Sequence, residues 1–291
     1  MRSMLFVPGD RPDRFAKAVA SGADAVILYL EDAVTLERRG YARGAIAEYL
    51  RAPRTAVPIW VRINPVDSAE VLADVAAVGA ARPDGVILPK ARNGGDVARL
   101  DHWLEMLECE HGVAAGAIQV MPMITETAGA LLSLASFTPA PSRVSTMTWG
   151  AEDLATELGA LGNRTAAGDY EPAFELARSL CLITAAAAGV RAIDTVDTDI
   201  RDIAAVEQRA RHSRRAGYLG KLAIHPAQIP AIHAAFTPGA AELDWARRVL
   251  AAVAAAPAAG AVKVDGKLID RPHVLQAERL LAAVGSSDEG E

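Results

Sequence analysis

Val120-Met-Pro-Met-Ile-Thr-Glu126-Thr127 runs apolar at strand length and then ends in a carboxylate; Thr148-Trp-Gly-Ala-Glu-Asp153-Leu154 repeats the pattern. A helical periodicity follows each stretch. A carboxylate just past a buried strand is poorly placed for packing, because burying an unpaired charge is unfavourable. It is well placed to hold a hard cation such as Mg2+, which takes a few carboxylates and fills its other positions with water and substrate. Either residue alone would serve equally well as a cap on the helix behind it. The other strand ends decide between the two.

Working outward, short apolar runs alternate with helical patterns along the chain. The strands are expected at Ser3–Val7, Ala25–Leu30, Ile59–Ile63, Gly85–Leu88, Ile118–Met123, Val144–Thr148, Val190–Ile193 and Leu219–Ile224. Near-continuous hydrophobicity is what parallel strands covered on both faces require. Helix-length amphipathic segments lie between them at Arg11–Ala20, Thr35–Leu50, Ser68–Val78, Asp96–Glu110, Ala128–Ala135, Tyr170–Ala188 and Ile203–Ala216. The alternation predicts an α/β fold, a (β/α)8 TIM barrel over residues 1–236. A doubly wound open sheet is the runner-up, and its dinucleotide-binding form lacks the Gly-x-Gly-x-x-Gly turn it needs. Residues 237–291 exceed what a barrel uses. Helices over Ile229–Phe236 and Ala241–Ala255, a hairpin over Ala261–Asp270 around an Asp-Gly turn, and a last helix over Pro272–Ala283 make a C-terminal helical and β-hairpin extension. This extension is expected to contact a neighbouring subunit. Ser286–Glu291 reads as a frayed acidic tail.

Composition excludes several function classes. Net charge is −6 with no basic stripe, so nucleic acid is not an expected partner. The apolar run Met4–Val7 is too short for a signal peptide, and the uncharged run Val249–Val262 is too short to span a bilayer. Cys109 and Cys181 show no metal or redox spacing and read as core or near-core thiols in a reducing compartment. A cytoplasmic protein with no membrane partner is expected.

In a parallel barrel all strands end on one face, and active sites sit there. The ends read Pro8-Gly9-Asp10-Arg11, Glu31-Asp32, Arg62-Ile-Asn64, Pro89-Lys90, Glu126, Gly150 with Asp153 beyond, Asp194 with Asp197 and Asp199 following, and His225-Pro226. Acids and bases therefore interleave on one rim while the strand middles carry almost no charge. Arg62 is suited to grip a carboxylate or an enolate oxygen with its planar fork. Glu31 and Asp32 are adjacent and hard to keep ionised together without a cation nearby. Lys90 is open between a Schiff-base lysine, a phosphate binder and an ion-pair partner. His225 is open between a general base and a structural histidine, and Lys17 reads as a solvated charge. No His-x-x-x-His or Cys-x-x-Cys supports zinc.

Seven segments in order carry a resemblance: Leu5-Phe-Val-Pro-Gly9, Leu30-Glu-Asp-Ala-Val34, Val61-Arg-Ile-Asn64, Glu126-Thr127, Gly150-Ala-Glu-Asp-Leu154, Gly220-Lys-Leu-Ala-Ile-His-Pro226 and Asp265-Gly-Lys-Leu-Ile-Asp270. Together they resemble the citrate lyase β-subunit-like family, within the HpcH/HpaI aldolase group that includes malyl-CoA and citramalyl-CoA lyases. The resemblance implies a (β/α)8 barrel, a homotrimer, a Mg2+ cofactor, and a CoA thioester and a 2-oxo acid as substrates. It implies Glu126 and Asp153 as metal ligands, Arg62 on the substrate oxygens, Glu31 and Asp32 beside the metal-bound waters, and Asp270 as an acid/base inserted by a neighbouring subunit. Lys90 and Glu126 join Arg62 as expected substrate contacts. The implied reaction is cleavage or formation of a short 3-hydroxyacyl-CoA. Alternatives are a malyl-CoA-type thioesterase, a citryl-thioester lyase subunit of a multi-protein complex, and an interaction protein. The chain departs from the family pattern at Tyr29 and Leu219, where aspartates are usual.

Overall fold

The computed structural model describes residues 1–257 and 259–285, so the tail expected over Ser286–Glu291 lies outside the described residues. The chain divides into two compact units, Met1–His233 and Ala234–Glu291.

The first unit alternates strand and helix: β1 (Ser3–Pro8), α1 (Phe15–Val19), β2 (Ala25–Tyr29), α2 (Leu36–Arg51), β3 (Ile59–Arg62), α3 (Val71–Ala81), β4 (Gly85–Leu88), α4 (Gly94–Glu110), β5 (Gln119–Pro122), α5 (Ala128–Leu131), β6 (Thr146–Thr148), α6 (Ala151–Leu158), α7 (Pro172–Ala187), β7 (Arg191–Asp194), α8 (Ile203–Ala216), β8 (Gly220–Ala223) and the start of α9 (Ile229–Phe236). The strands follow the order β5-β4-β3-β2-β1-β8-β7-β6, with every ladder parallel. Parallel bridges of Val120 with Val144 and of Met123 with Thr148 join β5 to β6 and close the ring. The expected (β/α)8 barrel forms, with strand bounds within about two residues of the expected ones.

One alternate set of side chains on these strands fills the barrel interior. Met4, Ala25, Ile27, Trp60, Ile87, Met121, Met123, Ile193 and Leu222 pack as one buried cluster, with Phe6 partly buried against it. Residues drawn from seven different strands meet in this way only on the inside of a closed sheet. The intervening positions, such as Val7, Val26, Leu28, Val61 and Val86, are also buried, beneath the helices. This double coverage is the reason the strands read as continuous apolar runs.

Two helical expectations change. The helix expected over Ala128–Ala135 breaks into α5 and a 3-10 turn at Leu134–Phe137. The helix expected behind Thr148–Leu154, α6, starts immediately after Gly150, so that Asp153 lies in its first turn and not ahead of it. Cys181 is buried as expected; Cys109 is exposed on α4, which corrects its reading as a core thiol. Among the described residues no helix is long and apolar enough to cross a membrane.

The second unit contains α10 (Ala240–Ala255), the antiparallel hairpin β9 (Val262–Val264) and β10 (Lys267–Ile269), and α11 (Arg271–Gly285). Asp265 and Gly266 at the hairpin tip both have positive φ, 51° and 75°, as a two-residue primed turn needs. Ala246, Val249, Val264, Ile269, Val274 and Ala277 form a small core of its own.

Candidate active site

The strand ends bring six of the expected residues into one cluster. Arg62 is the last residue of β3 and lies beside Tyr29 of β2 in the ladder. Its guanidinium pairs with Glu31, which follows β2 and is only 2% exposed. The Lys90 ammonium, just past β4, pairs with Glu31, with Asp32 at 2.8 Å and with Asp153 at 3.1 Å. Its backbone N–H donates to Glu126 Oε2 at 2.5 Å. Lys90 therefore touches four carboxylates. It does so with φ at 50°, a left-handed backbone that costs a non-glycine residue about 1–2 kcal/mol. Strain of this kind persists only where the surroundings over-determine it.

Glu126 is 2% exposed and faces Gly150 at the N-terminus of α6. A Cβ on Gly150 would stand 2.6 Å from Glu126 Oε1, so only glycine leaves room for that carboxylate beside the helix that presents Asp153. Burial, and then the neighbouring Asp153 charge, push the Glu126 carboxyl well above the usual carboxylate range. Burial also raises Glu31, against the opposing pull of Arg62 and Lys90. Asp32 moves the other way: burial raises it, but hydrogen bonds from Lys90 outweigh that and hold it low.

The cluster does not balance its own charge. Fully ionised, Glu31, Asp32, Glu126 and Asp153 would carry four negative charges against two positive ones on Arg62 and Lys90, and without a further cation the buried Glu126 is driven toward its neutral form. A surplus of two negative charges beside a fully buried carboxyl calls for a divalent cation. Among the described residues no group of three His, Cys, Asp or Glu is arranged to hold a metal. Glu126 and Asp153 would supply two ligands and leave the rest of the shell open. This suits Mg2+, which keeps water and substrate in its shell, and does not suit structural zinc.

Arg62 has a second set of neighbours that sequence reading missed. Its guanidinium carbon lies 5.3 Å from the centre of the Phe6 ring and 5.5 Å from that of Tyr29. The two rings meet edge to face. Phe6 and Tyr29 end the inward-facing rows of β1 and β2, so counting two residues on from Met4 and Ile27 would have found them.

The other expected rim residues go elsewhere. Asp194 follows the inward Ile193, so it points outward, to Arg178 of α7 and Ser213 of α8. Asp197 pairs with Arg164, Arg209 and Lys221. Placing Asp194 and Asp197 on the rim is thus corrected by the strand's two-residue period. Asp199 is exposed and caps a turn. His225 is exposed, and its Nδ1 accepts from the N–H of Ala227, the structural of its two readings. Lys17 is exposed, as expected. Asp270 belongs to the second unit; its half-exposed carboxylate lies 2.6 Å from Nδ1 of His273.

Known proteins share this fold. The HpcH/HpaI aldolase/citrate lyase family model matches residues 2–226, the span of the barrel. The chain belongs to that family. A citrate lyase subunit beta-like protein of Mycobacterium tuberculosis is 36% identical over 283 residues, 97% of this chain and 95% of that one. A (3S)-malyl-CoA thioesterase of Cereibacter sphaeroides is 31% identical over 289 residues, 97% of this chain and 93% of that one. The crystal structure of CitE from M. tuberculosis in complex with magnesium, acetoacetate and coenzyme A matches at 35% identity and a TM-score of 0.82, covering 98% of both chains. Tyr29 and Leu219 are the two positions that the resemblance marks as departures. Tyr29 faces the site, and Leu219 packs against the barrel core.

Proposed function

We propose that the protein is a Mg2+-dependent carbon–carbon lyase that cleaves, or forms, a short 3-hydroxyacyl-CoA such as malyl-CoA or citramalyl-CoA, with acyl-CoA and a 2-oxo acid on the other side of the reaction. The observation that carries this reading is the buried Glu126 carboxyl beside Asp153, a pair of acids that needs a further cation to be ionised together. The magnesium, acetoacetate and coenzyme A bound to the related CitE support it. Glu126 and Asp153 would hold the ion, which would supply Lewis-acid stabilisation of negative charge on the substrate oxygens.

The chain's own residues do the rest. In the cleavage direction the bond between the thioester's α-carbon and the carbinol carbon breaks. Its electron pair stays on the α-carbon as an enolate, the hydroxyl loses its proton as it becomes the oxo group, and the α-carbon takes up a proton. Arg62 presents its fork to the reacting oxygens; its Nε has no hydrogen-bond partner within the protein. Glu31 anchors Arg62 and Lys90 together, and Asp32 shares Lys90, so both cations are fixed before substrate arrives. Lys90 then meets the substrate's carboxylate. Asp270 of a neighbouring copy in a homotrimer exchanges the proton with the α-carbon.

A second reading, a thioesterase on the same substrates, is favoured by the similarity to the Cereibacter sphaeroides enzyme. It uses the same cluster to direct water at the thioester carbonyl. Incubation with Mg2+ and a panel of 3-hydroxyacyl-CoAs separates the two. Release of 2-oxo acid is the expected result, free thiol without oxo acid establishes the thioesterase, and neither product overturns both.

A further inference from the structure

We infer that the first unit carries a second ligand site, outside the barrel wall, for a small molecule bearing an oxyanion. A cavity of about 650 Å3 opens between α7, α8, the loop before α7 and the outer face of β7 and β8. Its size falls in the range of small-molecule sites. Asp194 and Lys221 form its floor, Arg178 and Ser213 come from the two helices, and Arg164 and Arg209 stand at its sides. It shares no lining residue with the cluster on the rim.

The floor is short of negative charge. Behind the cavity, Asp197 alone takes Arg164 at 3.0 Å, Arg209 at 2.7 Å and Lys221 at 3.2 Å. Asp194 faces Arg178 and Lys221. Four cations thus share two buried carboxylates. Three further acids line the cavity: Asp169 and Asp202 are exposed, with Asp202 engaged in capping α8, and Glu175 is half-buried and reaches Arg178 only at 3.4 Å. Solvent screens these outer charges far more than it screens the floor.

Arg178 shows what is missing. Its side chain is 4% exposed, yet it reaches Glu175 and Asp194 only at 3.4 Å and Ser213 at 3.3 Å, and its Nε has no hydrogen-bond partner. Charge-assisted bonds of a satisfied arginine run about 2.7–2.9 Å. Asp194 cannot offer more, because it already accepts from the Trp149 indole at 2.6 Å, the Thr195 N–H at 2.9 Å and the Ser213 hydroxyl. A buried guanidinium with long, incompletely made bonds, beside a cavity where four cations share two buried carboxylates, fits a carboxylate or phosphate oxygen. Both are planar-fork acceptors for arginine, so a dicarboxylate and a phosphate ester are the two sources of this chemistry.

The test uses the full chain with divalent ions chelated. Inorganic phosphate and succinate are titrated separately, and binding is read from the melting temperature and from tryptophan emission, since Trp149 donates to Asp194. At least one probe should bind saturably. Arg178→Gln should weaken it by about tenfold, the loss of one charge-assisted contact. Ala205→Phe, which fills the cavity from α8 without touching the ion pairs, should abolish it and covers the case in which Arg178→Gln does not fold. Arg62→Gln, on the rim, should leave it unchanged. Binding of phosphate alone assigns a phosphate ester, of succinate alone a dicarboxylate, and of both the shared oxyanion chemistry. The inference fails if neither probe binds, if Ala205→Phe binds as wild type does, or if Arg62→Gln abolishes the binding.

Discussion

The molecule holds two buried charge clusters of opposite surplus, and the difference between them shows how one barrel sorts its charges. On the rim, four carboxylates face Arg62 and Lys90, and Glu126 is raised far above its usual range. Outside the wall, Asp194 and Asp197 face four cations, and Asp194 is depressed to about 2: burial would raise it, but Lys221 and Arg178 outweigh burial. The same side-chain type is thus destabilised as an anion in one place and stabilised in the other. A cluster in excess of acid is unfinished until a cation arrives. A cluster in excess of base holds its carboxylates tightly, so that each carboxylate contributes to stability as an anion. Neutralising one acid in each should therefore have opposite consequences.

The largest effect is expected on the rim. Glu126→Gln removes a proposed metal ligand while keeping the shape, so turnover should fall by about 10^3-fold or more, as loss of several kcal/mol of charge stabilisation implies. Melted in the absence of divalent ions, the same variant should be at least as stable as wild type, because a buried carboxyl facing Asp153 is relieved of repulsion. Steady-state kinetics and a thermal melt check the two halves. A variant that is active, or one that unfolds, breaks the comparison at its strongest point.

Asp270 extends the test beyond one subunit. It is exposed and, among the described residues, pairs locally with His273, so a surface role predicts tolerance of alanine within about 0.5 kcal/mol. We expect Asp270→Ala to be nearly inactive, to bind Mg2+ normally and to keep the proposed trimeric assembly. Mixing Asp270→Ala with Glu126→Gln subunits should restore activity, since only mixed trimers pair an intact metal site with a donated aspartate. Dead mixtures, with subunit exchange demonstrated, would confine Asp270 to its own chain.

The rim was legible because sequence order and barrel geometry coincide there: residues at the ends of parallel strands must share a face, whatever their distance along the chain. Glu31, Asp32, Arg62, Lys90, Glu126 and Asp153 needed no further information. The outer cluster was not legible by the same rule. Asp194 ends a strand too, but a shift of one residue turns a side chain to the other face of the sheet. Its partner Arg178 lies within the buried stripe of α7 formed by Phe174, Ala177, Cys181 and Ala185. An arginine at helical spacing among buried apolar positions was the one available sign. Which helix faces which strand is fixed by packing, and no local pattern records it.

Outside the wall, Asp194→Asn tests the other half of the comparison. Breaking a buried, fully bonded carboxylate from its cations should destabilise by about 3 kcal/mol, while turnover, which uses the rim, persists. The pH dependence has a definite sign. A depressed acid contributes stability that is fully present above its unfolded value and is lost as pH falls through its folded value of about 2. The gap in unfolding free energy between wild type and Asp194→Asn should therefore be constant from pH 7 to about 5 and narrow from about pH 4 downward. A gap that is absent at pH 7, or that grows on acidification, would remove Asp194 from the stabilising side.

The smallest effect should come from Tyr29, which sits in neither charge list but touches the rim's key cation. Its ring and that of Phe6 approach the Arg62 guanidinium, while Glu31 holds one edge of the fork. A face-on ring in a partly desolvated site is worth about 1 kcal/mol to an arginine. The benefit here is orientation, since the substrate meets a guanidinium whose tilt is already set. Tyr29→Phe keeps the ring and should retain kcat within about a factor of two, because the contact is to the face and not to the hydroxyl. Tyr29→Leu keeps the bulk, loses the ring's quadrupole, and should lower kcat by about fivefold with the melting temperature nearly unchanged, the ratio that ~1 kcal/mol implies. Wild-type kinetics in both Tyr29→Phe and Tyr29→Leu would mean that Glu31 alone orients Arg62. A defect in Tyr29→Phe as large as that in Tyr29→Leu would place the hydroxyl in the chemistry, and the aromatic contact would then be incidental.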